Sequence, residues 1–330
     1  MKSKGFLRRF IIVAGLALLV IVCALAITIK IFSSAPEGIT EKDYDASLDQ
    51  TVEIEFTKIP TNGIELYTAI AGPEGGKPVI LLHGFPDVWY GWESQIRALA
   101  AKGFRVYAPD QRGYGLSDKP GDIIAYTQQT LVNDIIGLAD SLGLRGFNLA
   151  GHDFGALVSW NVAIQYPERI TKLVIINVPH PDVMPRYMKQ HTSQLFRSWY
   201  VLFFQLPYIP ERVVKYNNWE LLIDAMSTNF KEQRLQRYRK SWSGSRTIGS
   251  MINWYRAVLR HPLKHTDPHI TTPVLIIWGK RDVHIEHKMA PMSLEYCANG
   301  RLIYFDNASH WPHQDKPREV NKLLIDFFTD

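Results

Sequence analysis

The chain has 330 residues, of which 46% are hydrophobic, enough for one large core that carries an inserted subdomain. Its formal net charge is +5, but the first 30 residues hold five basic residues and no acidic one. The rest of the chain is therefore neutral and has no overall bias toward nucleic acid. The two cysteines, Cys23 and Cys297, exclude a disulfide within the folded body and argue against a zinc–thiolate site, because Cys23 lies in the apolar N-terminal segment.

The N-terminal segment predicts a membrane anchor. Residues 10–29 are apolar and carry no charge, and a helix of that length can cross a bilayer. Four basic residues among the first nine positions precede this run. The positive-inside rule then places the N-terminus in the cytoplasm and the rest of the chain on the other side of the membrane. A signal peptide cleaved near Ala24-Leu25-Ala26 is the competing interpretation, but the run is long for one, which favours a retained signal-anchor.

The chain divides into an anchor, a tether, a core and an insertion. We assign residues 1–32 to the anchor and residues 33–50, which are polar and include Pro36 and Gly38, to the tether. Residues 51–180 and 267–330 form one predicted core, and residues 181–266 form a helical cap inserted into it.

Short apolar runs alternate with helical patterns in both parts of the predicted core. Asn62-Gly63 joins the first two strands as a hairpin, and the later runs are continuous, as in strands covered on both faces. The predicted strands are 52–56, 64–67, 79–82, 105–108, 146–150, 173–176, 273–278 and 302–305. The predicted helices are 92–102, 130–142 and 156–163. This order implies a mostly parallel sheet with helices on both faces.

The predicted cap breaks this alternation. It has no clear strand and is rich in aromatic residues, prolines and helix formers. Its basic stretch, residues 231–246, is interpreted as the solvated face of a helix. The aromatic, apolar character of the cap indicates a lipophilic ligand.

The stretch Gly151-His152-Asp153-Phe154-Gly155 connects a predicted strand to a predicted helix. Small residues two before and two after Asp153 allow a sharp turn that pushes its side chain out at the edge of the sheet. In the serine version of this elbow the central residue is Ser, and here it is Asp153. An ionised carboxylate needs no base before it attacks, and it can open a strained or activated alkyl carbon. The resulting ester must then be hydrolysed.

An acid and a histidine follow the two late strands, where an open parallel sheet presents its ligand site. Asp282 follows the strand at 273–278, and His310 follows the strand at 302–305. The order Asp153, Asp282, His310 is nucleophile, acid, base, the chain order of triads on this type of sheet. Asp282 would orient His310, and His310 would activate water.

With these motifs the chain resembles the α/β-hydrolase superfamily, and within it the membrane-anchored epoxide hydrolases, from about residue 52 to the C-terminus. His83-Gly84-Phe85-Pro86 matches the HGxP loop of that family, and Arg112-Gly113-Tyr114-Gly115-Leu116-Ser117 matches its RGxGxS loop. The Asp153 elbow and Ser309-His310-Trp311 match its nucleophile and histidine loops. The combination is specific, although each motif alone is weak.

The resemblance implies the α/β-hydrolase fold and hydrolysis of a lipophilic epoxide to a vicinal diol through a hydroxyalkyl ester on Asp153. It implies that Tyr200 and Tyr255 of the cap hold the epoxide oxygen and protonate it. It also implies an oxyanion hole from the backbone N–H groups of Phe85 and Phe154. The partners are then the epoxide, water and the membrane, with no nucleic acid, cofactor or metal.

Other function classes account less well for this sequence. A haloalkane dehalogenase shares the fold and the first half-reaction, but that family has a Trp just after the nucleophile, where this chain has Phe154. A serine esterase is disfavoured because the sequence has no G-x-S-x-G. A zinc site from His261, His265 and His269 is disfavoured because Pro262 and Pro268 disrupt the helix that would align them. A catalytically inert, membrane-tethered binding protein is the non-enzymatic alternative.

Overall fold

An eight-stranded sheet runs through the centre of the fold. The structure, a computed structural model, describes residue 40 and residues 52–226 and 230–330. The strands are β1 (Ile54–Thr61), β2 (Ile64–Ala71), β3 (Lys77–Leu82), β4 (Phe104–Pro109), β5 (Phe147–His152), β6 (Ile170–Ile176), β7 (Val274–Gly279) and β8 (Gly300–Phe305). Their spatial order is β1-β2-β4-β3-β5-β6-β7-β8.

The predicted, mostly parallel sheet is confirmed. The hairpin β1–β2 and the pair β2–β4 are antiparallel, and every other neighbouring pair is parallel. The central strands are continuous apolar runs because helices cover both of their faces, and β5 and β7 are buried along their whole length. The carboxyl ends of β3, β5, β6 and β7 therefore meet at one edge of the sheet.

Twelve helices are defined in the described part of the chain. They are α1 (Glu93–Ala100), α2 (Gln128–Ser141), α3 (Phe154–Gln165), α4 (Val183–Gln190), α5 (Thr192–Arg197), α6 (Trp199–Phe203), α7 (Ile209–Met226), α8 (Glu232–Ser243), α9 (Thr247–Arg260), α10 (Met289–Leu294), α11 (Pro312–Asp315) and α12 (Pro317–Thr329). Helix α7 is interrupted at residues 216–219, where the backbone leaves the helical region. Short 3-10 turns lie at Trp89–Trp92, Ile123–Tyr126 and Pro167–Arg169.

Helices α4 to α9 lie between β6 and β7 and form the cap. Two of them, α8 and α9, bond to the loops after β3 and β4. Trp242 of α8 donates through its indole N–H to the carbonyl of Pro86 (2.6 Å), and Tyr238 donates through its hydroxyl to Asp87 (2.9 Å). Trp254 of α9 donates to the carbonyl of Arg112 (3.0 Å), so the cap is bonded to both glycine-containing loops of the core.

The interpretation of residues 231–246 as a solvated helix face is wrong for the central part of α8. Arg237 and Arg239 are buried. The guanidinium of Arg237 lies 4.6 Å from the ring centroid of Tyr90 and 3.7 Å from the carboxylate of Glu93. Arg237 packs the cap against the core, because a guanidinium can stack on an aromatic face and pair with a carboxylate at once. Arg239 instead bonds within the cap, to the carbonyl of Asn218 (3.2 Å) and to Glu232 (2.8 Å).

The predicted anchor at residues 1–32 lies outside the described residues. Within residues 52–226 and 230–330, no helix is long and apolar enough to cross a membrane.

Candidate active site

Asp153 is the turn residue between β5 and α3. Its backbone has φ 50° and ψ −125°, a region that costs a non-glycine residue about 1–3 kcal/mol. The glycines on either side explain how the turn is so tight. A Cβ on Gly151 would lie 2.3 Å from the carbonyl oxygen of Gly155, and one on Gly155 would lie 2.2 Å from that of Leu82.

Backbone N–H groups hold the carboxylate of Asp153. The N–H of Phe85 donates to its Oδ1 at 2.7 Å, and the N–H of Phe154 also bonds to the carboxylate. These are the two groups that the family resemblance implies for an oxyanion hole.

His83 fixes the loop that carries Phe85. Its Nε2 accepts a hydrogen bond from the N–H of Gln111 (3.0 Å), and its Nδ1 lies 3.0 Å from the carbonyl of Gly84. Burial lowers the pKa of His83 to about 4, so the ring is neutral and its Nδ1–H donates to that carbonyl. The close approach of Gly84 to Asp153 leaves no room for a Cβ there.

His310 lies between the two carboxylates. Its Nδ1 is 2.6 Å from Oδ2 of Asp282, and its Nε2 is 3.3 Å from Oδ2 of Asp153. The structure therefore brings together the three residues that were predicted from three separate strand ends. All three are at least mostly buried, and the Asp282 side chain has no exposed surface.

Asp282 accepts four hydrogen bonds. Besides His310, its donors are the Asn177 amide (2.7 Å) and the N–H groups of His284 (2.7 Å) and Ile285 (2.9 Å). Burial alone would raise the pKa of Asp282, but the charge of His310 and these donors lower it. Asp282 is thus held as a carboxylate beside His310.

The pKa values of Asp153 and His310 move in opposite directions. Burial opposes the charged form of each, but the hydrogen bond and charge of His310 lower the pKa of Asp153 to about 2. The charge of Asp282 and the bond to Asp153 raise the pKa of His310 to about 10. At neutral pH the resting pair is therefore a carboxylate and an imidazolium.

Tyr200 and Tyr255 come from two cap helices and face Asp153. Their phenol groups hydrogen-bond to each other, and their ring centroids are 5.8 Å apart. Tyr255 also packs edge-on against Phe85 (5.2 Å) and Phe154 (4.6 Å), the residues whose N–H groups hold the carboxylate. Burial raises the pKa of both tyrosines, and the negative charge of the nearby Asp153 raises it further. Both phenols are therefore protonated and can donate.

Sequence reasoning missed Asn177. It follows β6, donates to Asp282 and accepts the N–H of Gly279 (2.9 Å), so it fixes the loop after β7. The available signal was that Asn177, a polar residue, directly follows the apolar strand β6. The carboxyl ends of the parallel strands form the edge of the sheet at which the site lies.

Sequence reasoning also missed a buried group of Asp87, His152 and His313 behind His310. Their ligand atoms lie within 4.8 Å of one another, close enough to hold a metal ion. However, Asp87 already accepts bonds from the Val88 N–H, Tyr238 and the Gln314 amide. Those donors occupy its oxygens, so the group fits a hydrogen-bonded support better than a metal site.

His152 links this group to the site. Its Nε2 lies 2.8 Å from the carbonyl oxygen of His310, and burial lowers its pKa to about 3. The neutral ring can therefore donate its Nε2–H to that carbonyl. Burial also lowers the pKa of His313 well below its usual range.

Of the three histidines considered for a zinc site, two have other partners. His265 lies 2.7 Å from the side-chain oxygen of Asn161, and His269 lies 2.8 Å from Asp267. Within residues 52–226 and 230–330 they do not form a group with metal-ligand spacing.

A family model described as the alpha/beta hydrolase fold matches residues 77–317. The chain belongs to the α/β-hydrolase family. This α/β hydrolase is 41% identical over 274 residues to the AB hydrolase superfamily protein YfhM of Bacillus subtilis, a match that covers 82% of this chain and 96% of that protein.

Several similar proteins carry the name epoxide hydrolase. Epoxide hydrolase 4 of Homo sapiens is 37% identical over 287 residues, covering 83% of this chain and 78% of that one. Among solved structures, the α/β hydrolase is similar to the Bacillus megaterium epoxide hydrolase in complex with an inhibitor. That match has a TM-score of 0.77 and 30% identity, and it covers 83% of this chain and 100% of the other.

Proposed function

We propose that this α/β hydrolase is an epoxide hydrolase that converts lipophilic epoxides to vicinal diols through a covalent ester on Asp153. The observation that carries the proposal is the buried Asp153 carboxylate, with His310 at 3.3 Å on one oxygen and the Phe85 N–H at 2.7 Å on the other. Relatives named epoxide hydrolases, 37% identical or less, support the same reaction class.

Ester formation uses the carboxylate and the tyrosine pair. Oδ2 of Asp153 attacks an epoxide carbon, and the carbon–oxygen bond of the strained ring breaks. The leaving oxygen takes a proton from Tyr200 or Tyr255, which are protonated and hydrogen-bond to each other near Asp153. Oδ1 keeps the hydrogen bond from the Phe85 N–H and becomes the ester carbonyl oxygen.

Ester hydrolysis uses His310. When Asp153 becomes an ester, its negative charge disappears, and so does one of the causes that raise the pKa of His310. The imidazolium gives its proton to the tyrosinate left by the first step, and the neutral imidazole then takes a proton from water as the hydroxide attacks the ester carbonyl carbon. The Phe85 and Phe154 N–H groups stabilise the oxyanion that forms. It collapses with cleavage of the ester C–O bond, and the released alkoxide takes the proton of the new carboxyl group, which restores the Asp153 carboxylate.

The cap tyrosines favour an oxygen leaving group over a halide. Two hydrogen-bonded phenols can give a proton to an alkoxide, whereas a halide needs donors but no proton. The residue after the nucleophile, Phe154, has no ring N–H to offer a halide.

Intact mass measurement of the His310→Gln variant tests the proposal. The variant is incubated with a panel of lipophilic epoxides and primary haloalkanes. Without its base the enzyme accumulates the ester, so its mass increases by one whole epoxide, and peptide mapping places the adduct on Asp153. The double variant His310→Gln/Asp153→Asn is the matched control and acquires no mass.

Two other results would contradict the proposal. A mass increase equal to an alkyl group without the halide, and none from the epoxides, would indicate a dehalogenase. Folded protein that gains no mass from any epoxide of the panel would favour the inert binding protein.

We also propose that residues 10–29 anchor the enzyme in a membrane as a retained signal-anchor, with the N-terminus in the cytoplasm. The support is the uncharged apolar run and the basic residues before it. The mass of the mature chain tests retention, since cleavage after Ala26 would remove the segment. Protease treatment of sealed membranes tests orientation, because a domain on the cytoplasmic side would be digested.

A further inference from the structure

The cap has a concentrated apolar surface. Nine of the twelve exposed large hydrophobic side chains in the described part of the chain fall within residues 195–221, so they are clustered rather than scattered. We define the apolar cap face as the side chains of Leu195, Phe196, Trp199, Leu202, Leu206, Tyr208 and Ile209. The exposed fraction is 78% for Phe196, 69% for Leu202 and 79% for Tyr208.

The apolar cap face lies on the outer side of the helix that carries Tyr200. Leu195, Trp199, Leu202 and Leu206 are separated by intervals of four, three and four residues, which places them on one side of α5, α6 and the turn that follows. Tyr200 faces inward to Tyr255. One helix therefore separates this surface from the reacting groups.

Positive charge lies beside the apolar cap face. Two of the three basic residues within positions 183–210 pair with core glutamates, Arg186 with Glu295 (3.1 Å) and Arg197 with Glu286 (3.5 Å), which leaves the charge of Lys189. Beside the face, Tyr208 also lines a cavity of about 600 Å³, together with three arginines and one glutamate. That glutamate, Glu211, pairs with Arg256 (2.7 Å), which leaves the positive charges of Arg246 and Arg260 at the cavity.

We propose that the apolar cap face docks onto a phospholipid bilayer that contains anionic lipid, with Arg246 and Arg260 beside the headgroups. Exposed Leu and Phe, interfacial Trp and Tyr, and unpaired basic residues beside them are the composition of helices that lie in a membrane interface. A protein partner would need both an apolar groove and an acidic rim, whereas an anionic bilayer provides both.

The length of chain before the folded body allows this contact. Residues 30–53 separate the apolar run at residues 10–29 from β1. Those residues can span at most about 80 Å when fully extended, several times the length of a helix in the cap. A domain tethered in this way can turn the cap toward the bilayer that holds its anchor.

Fluorescence of the full chain in vesicles tests the docking. Cys23→Ser and Cys297→Ala remove the natural thiols, and Phe196→Cys receives an environment-sensitive fluorophore. The control probe is at Lys102→Cys, an exposed site just before β4, at the opposite edge of the sheet. The vesicles contain phosphatidylcholine with or without phosphatidylglycerol, together with a spin-labelled lipid that quenches nearby fluorophores.

We expect the spin-labelled lipid to remove most of the emission at position 196 and none at position 102 when phosphatidylglycerol is present. Leu202→Asp should reduce the quenching at position 196 by at least half, whereas the matched variant Leu202→Met should not. Quenching that does not depend on phosphatidylglycerol would overturn the anionic requirement.

Two results would overturn the docking itself. In the first, the probe at position 196 is as accessible to aqueous iodide as the probe at position 102. In the second, it is protected from iodide but not quenched by the lipid label, which would identify the face as a protein interface.

Discussion

Asp153 and His310 set each other's protonation. The pKa of His310 is about 10 in the folded chain and 6.5 for an ordinary histidine, so this residue stabilises the fold fully below pH 6.5 and loses that effect as pH rises through about 10. The pKa of Asp153 is about 2, so its contribution is present above its ordinary value of 3.8 and is lost as pH falls through about 2.

Asp153→Asn should lower the pKa of His310. The variant removes the negative charge and the acceptor at 3.3 Å but keeps Asp282, so the pKa falls from about 10 without reaching that of a histidine with no carboxylate partner. Imidazole nitrogen chemical shifts, followed by NMR against pH, give the value directly. Asp315→Asn serves as the control, because Asp315 bonds Ser309 and not the ring of His310. An unchanged pKa in Asp153→Asn would show that Asp282 alone determines it.

Tyr255→Phe should slow ester formation and spare ester hydrolysis. In the proposed mechanism this phenol serves as a proton donor for the leaving oxygen, and such donors contribute about 100-fold to 10,000-fold. The ring and its contacts with Phe85 and Phe154 remain, so the fold is preserved. Single-turnover kinetics separate the two steps, and Tyr187→Phe, which removes a phenol bonded to Glu286, is the control. Equal slowing of both steps would contradict a role confined to the leaving oxygen.

The three residues of the candidate triad were predictable because each follows a strand. Asp153, Asp282 and His310 could be placed at one sheet edge from strand order alone, whereas the supporting groups could not. Asp87 meets His152 and His313 only because the loop after β3, the end of β5 and helix α11 converge, and such contacts leave no local pattern.

The elbow between β5 and α3 depends on close backbone packing. Gly151 and Gly155 must be glycines because each lies directly against a backbone carbonyl oxygen, that of Gly155 and that of Leu82 respectively. The same packing explains why Asp153 is held at positive φ, since the turn has no room to relax.

Gly155→Ala should lower the free energy of unfolding by about 1–3 kcal/mol, because its methyl group would lie against the carbonyls of Leu82 and His83. Gly146→Ala is the matched control in the same strand–helix unit, since the nearest atom to a Cβ there is 3.7 Å away. Urea unfolding of both variants measures the difference. Equal stability of the two would contradict the packing argument.

Strand positions were predicted better than strand lengths. The first two strands were expected at residues 52–56 and 64–67, but β1 and β2 each extend over eight residues. Asn62 and Gly63 both adopt positive φ, which makes a turn tight enough for pairing to continue to Thr61 and Ile64. Lys58 and Pro60 interrupt the alternation in the sequence, but an edge strand tolerates both.

The core and the cap are joined through Arg112. Its guanidinium bonds both oxygens of Asp134 in α2 (2.7 and 2.6 Å), and its Nη2 also donates to the carbonyl of Asn62 in the hairpin turn (3.3 Å). Its own carbonyl accepts the indole N–H of Trp254 in the cap. The RGxGxS motif therefore connects the β1–β2 hairpin, helix α2 and the cap in this chain.

Arg112→Met should destabilise the enzyme by about 3–5 kcal/mol, because it leaves the buried carboxylate of Asp134 without its partner. Arg145→Met, at an exposed arginine, should change stability by less than about 0.5 kcal/mol. Thermal and urea unfolding of the full chain measure both. If Arg112→Met is as stable as Arg145→Met, the Arg112–Asp134 pair is not needed to hold the hairpin, helix α2 and the cap together.

The arrangement of the cap was the least predictable feature of the molecule. Its helical character and its position between two strands follow from the loss of alternation, but the packing of α8 does not. Arg237 is buried because Tyr90 and Glu93 of the core lie opposite it, and nothing in residues 231–246 indicates those partners.

The burial of Asp153, Asp282 and His310 limits proton exchange with solvent. The proposed reaction does not require such exchange. In the proposed reaction, tyrosine gives one proton to the leaving oxygen, and the imidazolium of His310 can replace it once Asp153 has become an ester. Water then gives one proton back to His310 while its hydroxide adds to the ester carbon. The ester bond breaks, the released alkoxide takes the proton of the new carboxyl group, and the diol leaves with every group in its starting state. Each turnover is thus proton-neutral inside the protein, so the chemistry can proceed without a hydrogen-bonded path to bulk water.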